Sequence, residues 1–166
     1  MLEHASLHVD GWSREEKAGL AVWIRGIQSA TSQPVGFVRL QGGTSWFGWL
    51  RSVRLEVYET EDASHLMSVV RSLGLLRIWT VYDAEGRRVG SVTPRRLLDS
   101  EGERRGEMIY VDRREGEIID LDRHVLARFT RKSGAALEVT FTADAAINPF
   151  LRMLVLGSIL ALEPGP

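Results

Sequence analysis

The stretch from Ile147 to Leu162, "INPFLRMLVLGSILAL", carries one charge, Arg152, in an otherwise apolar run. A segment apolar on nearly every side must be surrounded by something apolar, either lipid or the inside of a fold. Asn148 followed by Pro149 reads as a helix start, with Asn as N-cap and Pro at the first helical position, and Pro164 with Gly165 reads as the stop. The expected helix, about 149–163, is roughly 22 Å long against roughly 30 Å for a bilayer's hydrocarbon core. No cluster of Lys or Arg flanks the run as a topology signal. The length therefore favours a helix buried in its own domain over a membrane span, with a tail anchor or a partner-binding helix as the rivals. Gly157 and Ala161, four residues apart, offer a stripe where a strand or bulky side chain could approach closely.

The rest of the chain supplies something to enclose it. From about Val35 to Phe141 short alternating runs dominate: "VRLEV" sets Val53, Leu55 and Val57 against Arg54 and Glu56, and "ALEVTF" sets Leu137, Val139 and Phe141 against Glu138 and Thr140. Similar runs recur at "HLMSVVR", "LRIWTVY", "RRVGSV", "MIYV", "EIIDL" and "HVLARF". The breakers "ETEDAS", "DAEG", "DRREG" and "RKSG" between them suit tight turns. Upstream, "LAVWIRGI" and "VGFVRL" read as strands, whereas "SREEKAGLAVW" could as well begin a helix. A faint echo between "VYETEDASHLMSV" at Val57 and "VYDAEGRRVGSV" at Val81 suggests one hairpin unit used twice. Roughly eleven strands in a meander would leave long exposed edges unless the sheet closed, so a barrel is the expected form.

At 166 residues the chain is read as a single domain, 1–166. Its 21 basic and 22 acidic side chains leave no global field for nucleic acid or an anionic surface, so a charged partner must be met by a local patch. The absence of cysteine excludes disulfides and thiolate chemistry. The opening "MLEHASLHVDGW" has no basic segment followed by an apolar core, so the expected location is cytoplasmic, possible contact with membranes being peripheral.

The runs "SWFGWLRSVRLEVYETED", "WTVYDAEGRRVGSV", "HVLARFTRKSG" and "INPFLRMLVLGSILALE" resemble the tubby C-terminal-like superfamily, in its phospholipid-scramblase and LURP-one-related branch, over about Pro34 to Glu163. The resemblance implies a mainly β fold: a closed antiparallel barrel of about twelve strands around a buried hydrophobic C-terminal helix. It also implies a link to phospholipid movement between leaflets or to phosphoinositide binding, some relatives having no known activity; that the chain is not an enzyme is expected instead from its lack of a nucleophile, base or metal set. The chain departs from the membrane-active members in having no proline-rich N-terminal segment, no cysteine cluster and only two lysines, Lys17 and Lys132.

Catalytic chemistry is hard to place. His4, His8, His65 and His124 show no relay or H-x-x-x-H spacing, and "LQGGTSW" lacks the Gly-Lys-Ser/Thr of a phosphate loop. The acidic stretches "ETED", "DAEG" and "DRREGEIIDLD" are explained by turn formation, so no metal or cofactor is expected. Two features point to a binding surface instead. The pairs Arg87-Arg88, Arg95-Arg96, Arg104-Arg105 and Arg113-Arg114 fall eight or nine residues apart. If alternate turns share one barrel end, some pairs converge on a lipid headgroup, since guanidinium suits bidentate phosphate contacts; the alternative is a solvated surface balanced by Glu101, Glu103, Glu107 and Glu115. Trp46, Phe47 and Trp49 in "SWFGW" would suit an interfacial loop, or else belong to the core. The expected partner is anionic phospholipid; a soluble protein-interaction scaffold without lipid activity is the alternative.

Overall fold

The structure, a computed structural model, describes residues 6–17, 20–42, 53–59, 64–71, 78–133, 136–142 and 148–162. Thirteen strands and one helix follow in chain order: β1 Ser6–Val9, β2 Ser13–Lys17, β3 Leu20–Ser29, β4 Pro34–Gly42, β5 Val53–Tyr58, β6 His65–Arg71, β7 Trp79–Asp83, β8 Arg88–Val92, β9 Arg96–Asp99, β10 Arg104–Tyr110, β11 Glu115–Ile119, β12 Val125–Arg131, β13 Leu137–Phe141 and α1 Pro149–Leu160.

From β3 to β13 every strand pairs antiparallel with its sequence neighbour. The ring closes through β1, which pairs with β13 along Ser6–Val9 and with the last residues of β3 on its other side. Twelve strands thus form a closed barrel. Strand β2 lies outside the ring. It pairs with the first half of β3, Leu20 to Ile24, where β1 does not reach. Between the two, the Asp10 amide still donates to the Gly26 carbonyl at 2.9 Å, so one ten-residue strand serves two short ones in succession. Here "SREEK" is a strand rather than a helix start. Its four charges out of five protect the one strand that has a free edge among the described residues.

Alternation sets the inside of the ring. Leu55 and Val57 on β5, Trp79, Val81 and Asp83 on β7, and Leu137, Val139 and Phe141 on β13 are buried while their neighbours are not. The helix fills this lumen: Leu154 to Leu160 are buried without a break, nearly two turns, so each side of the helix is covered. The expected cap is present, Asn148 Oδ1 accepting the amides of Phe150 and Leu151 at 3.0 and 3.2 Å. The helix stops short of the expected residue 163. It closes at Leu160, with Ala161 donating to Gly157 and Leu162 turning back to Ile159. Twelve residues span about 18 Å, close to the height of a seven-residue strand tilted by about 40°. The helix is as long as the barrel is deep. Among the described residues no helix is long and apolar enough to cross a membrane.

Two arginines sit inside the ring. Arg25 is fully buried, donating Nε to the Asp10 carbonyl at 2.8 Å with its guanidinium 5.0 Å from the Trp12 ring. Arg152, 3% exposed, stacks 4.9 Å from the Phe141 ring. An aromatic face lies against each of these buried cations.

Candidate functional site

The meander gives the barrel two chemically different ends. The helix begins at an entry end formed by the β3–β4, β7–β8, β9–β10 and β11–β12 turns. It finishes at an exit end formed by the β8–β9, β10–β11 and β12–β13 connections.

Four entry-end turns share one design. In each, the residue that ends the leading strand, or in the last turn the one just past it, donates its amide to the carbonyl four residues on and accepts the amide three residues on: Ser29 with Gln33 and Ser32, Asp83 with Arg87 and Gly86, Asp99 with Glu103 and Gly102, Asp120 with His124 and Arg123. The third residue of each turn, Ser32, Gly86, Gly102 or Arg123, has positive φ, the left-handed position of a three-residue hairpin loop with a bulge. The side chain of the leading residue then ties the turn: Asp83 Oδ1 accepts the Arg87 amide at 2.8 Å, Asp99 Oδ1 the Glu101 and Glu103 amides, and Asp120 Oδ1 the His124 amide at 2.8 Å.

The second carboxylate oxygen closes on a cation. Arg87 Nε meets Asp83 Oδ2 and Arg105 Nε meets Asp99 Oδ2, both at 2.7 Å. Burial pushes the Asp83 and Asp99 carboxyls up, but their arginines and turn amides outweigh it and hold both below the ordinary aspartate range. Arg87 also reaches Glu85 at 2.9 Å, Arg105 reaches Glu103 at 3.4 Å, and Arg104 pairs with Glu107. Arg87, Arg88 and Arg105 line one cavity of about 740 Å³ over the first turn of α1, together with Asp83 and Asp99. Asp120, Asp122 and His124 bring their ligand atoms within 4.8 Å of one another, but both Asp120 oxygens already serve the turn, through the His124 amide and Nδ1.

The exit end has the opposite character. Arg95, Arg96, Arg113 and Arg114 are exposed and make no ion pair among the described residues. Asp112, the acid inside that hairpin turn, spends one oxygen on the Arg114 and Glu115 amides, at 2.6 and 2.7 Å. Those amides hold its carboxyl below the ordinary range. Beside the arginines stand exposed apolar side chains of the same hairpin, Tyr110 at 40% and Val111 at 69%. Tyr110 packs edge-on against Phe129 across Gly116, where any Cβ would strike the Phe129 ring. A smaller cavity of about 130 Å³ lies next to it, between Trp79, Tyr110, Arg131 and the helix end at Ala161. Trp46, Phe47 and Trp49 lie outside the described residues.

The eight arginines therefore divide four and four. Alternation of turns brings Arg87, Arg88 and Arg105 together at the entry end, and it gathers Arg95, Arg96, Arg113 and Arg114 at the exit end. The spacing missed Tyr110 and Val111, whose signal is an apolar pair running straight into "DRRE" with no polar residue before the turn.

Fold and ends together define a class, a closed meander barrel plugged by its own C-terminal helix and carrying a cation-rich apolar rim at the helix exit. No family model matches the chain, and no curated protein matches it. Among solved structures it is similar to a porin-like protein from Bacteroides uniformis, with 9% identity and a TM-score of 0.24 over 86% of this chain. The match spans 57% of that protein's length, a likeness too slight to bear on fold or function.

Proposed function

We infer that the protein is a non-enzymatic, scramblase-related barrel of the tubby-like kind that docks on anionic membrane surfaces by its exit end. The observation that carries this reading is a set of four arginines, Arg95, Arg96, Arg113 and Arg114, that make no ion pair among the described residues and stand beside the exposed Tyr110 and Val111. Twelve strands closed around a C-terminal helix support the family reading, since these are the two fold features that the sequence resemblance implies. A cation near an anionic leaflet contributes about 1 kcal/mol, so four contribute ~4 kcal/mol, and a tyrosine ring suits the headgroup layer. With the helix committed to the lumen, the contact is made from outside and is peripheral, at a cytoplasmic leaflet.

The test is co-sedimentation with vesicles of phosphatidylserine and phosphatidylcholine. Binding is expected at low salt and is expected to weaken as salt rises, because screening shortens the reach of surface charge. Replacing Arg95, Arg96, Arg113 and Arg114 together by glutamine should abolish binding while leaving the fold intact, as exposed substitutions do. No binding to anionic vesicles at low salt, or undiminished binding by the quadruple variant, would sink the reading.

A further inference from the structure

The entry-end cavity is distinct from the exit-end rim. At about 740 Å³ it falls in the range of roughly 300–1,000 Å³ typical of small-molecule sites. Its floor is apolar: Val89 and Leu154 are buried, Leu151 is half-buried, and the Phe150 ring stands 52% exposed at the mouth.

Its charge is nearly balanced. Arg87 and Arg105 are closed on Asp83 and Asp99, whereas Arg88 makes no ion pair among the described residues. Among the lining side chains alone, three arginines face two aspartates, and one cation is left over. Glu85 and Glu103, held by the outer nitrogens of Arg87 and Arg105, place carboxylates beside the turns and repel a polyanion. The helix start adds no call for phosphate, because Asn148 already accepts the Phe150 and Leu151 amides. A ligand matching this lining has an apolar body and a single negative charge.

We propose that the entry-end cavity binds an organic monoanion of the fatty-carboxylate kind, its carboxylate on Arg88 and its chain along Val89, Phe150, Leu151 and Leu154. The site is independent of membrane docking, since its residues lie at the other end of the barrel.

The probe is decanoate below its micellar concentration, titrated calorimetrically into the full chain. Saturable one-site binding is expected, with decanol about tenfold weaker because a neutral hydroxyl forfeits the charge-assisted contact. Decyl phosphate in its dianionic form should bind more weakly than decanoate. Arg88→Gln should bring decanoate down to the affinity of decanol without weakening vesicle binding, and Ser100→Trp, on an exposed turn at the cavity mouth, should weaken both ligands. The proposal is overturned by the absence of saturable decanoate binding, by decanol binding as tightly as decanoate, by a preference for the dianion, or by an Arg88→Gln variant that binds decanoate like the parent.

Discussion

Gly157 of the central helix faces Val81 of β7 so closely that a Cβ built on the glycine would stand 2.8 Å from Val81 Cγ2, with Val69 and Met67 behind it. Two effects oppose each other when alanine is placed there. Helix propensity favours alanine by about 1 kcal/mol, while overpacking a closed core costs about 1–3 kcal/mol. Val81 is β-branched and its strand is bonded on both sides, so it cannot swing away and the clash prevails. Gly157→Ala is expected to lower stability in urea unfolding. In a double-mutant cycle Val81→Ala should relieve part of that loss, and strict additivity of the two changes would count against the contact.

The helix behaves as the inner half of the core. Leu154, Val155, Leu156, Ile159 and Leu160 are buried, at about 1.5–3 kcal/mol each, so together they match the whole stability of an ordinary domain, about 5–15 kcal/mol. A chain ending at Ile147 should therefore not unfold cooperatively. Point variants separate the faces: Leu156→Ala should cost about 2–5 kcal/mol, whereas Phe150→Ala, at the exposed mouth, should cost much less. A soluble, cooperative truncation would mean that the barrel stands without its plug.

Entry-end turns predict opposite signs at equivalent positions. Gly86 and Gly102 hold φ of +79° and +90°, and Arg123 holds +69° in the fourth turn of the same design. A side chain in the left-handed region costs roughly 1–2 kcal/mol. Gly86→Ala and Gly102→Ala should therefore destabilise by about that amount although nothing lies within 4 Å of either site. Arg123→Gly should stabilise slightly, because relief of strain exceeds the ~0.4–1 kcal/mol that glycine adds to unfolded-chain entropy. Thermal melts of the three variants check the signs, and the same sign in all three would refute the equivalence.

These turns also explain what the sequence could and could not reveal. Capping is local, so Asn148-Pro149 predicts the helix start to the residue, and alternation predicts β5, β7 and β13 with their inward rows. Strands β1, β2 and β9 escape the reading, "SLHV" being only four residues long and upstream of the alternating region. "SREEK" has no apolar face because it lies outside the ring, and "RLLD" is only four residues with two adjacent leucines. For the arginine pairs, a spacing of eight or nine residues is one strand and one turn, and each such step reverses the chain. Consecutive pairs must land at opposite ends. Whether a guanidinium is then closed depends on an Asp placed four or six residues ahead by a bulged turn, as at Asp83–Arg87 and Asp99–Arg105, a three-dimensional fact that the pair itself does not carry.

The same carboxylates set the acid limit of stability. Asp83 and Asp99 titrate below the ordinary range in the folded chain despite burial that pushes them upward, and Asp112 does so through the Arg114 and Glu115 amides. A carboxyl depressed by folding binds fewer protons in the folded state than in the unfolded state at the same acidic pH, so stability rises with pH across that interval. The contribution is present above the unfolded aspartate value of about 3.9 and is lost as pH falls from there through the lower folded values. Unfolding midpoints in urea should accordingly hold steady from neutral pH to about 5 as far as these three groups are concerned, then fall below about pH 4. Asp83→Asn and Asp99→Asn should be less stable than the parent at neutral pH, where Arg87 or Arg105 loses the closer of its two acidic partners, and should approach it as the medium becomes acid. Equal acid slopes in the parent and both variants would show that these turn carboxylates do not govern the acid limb.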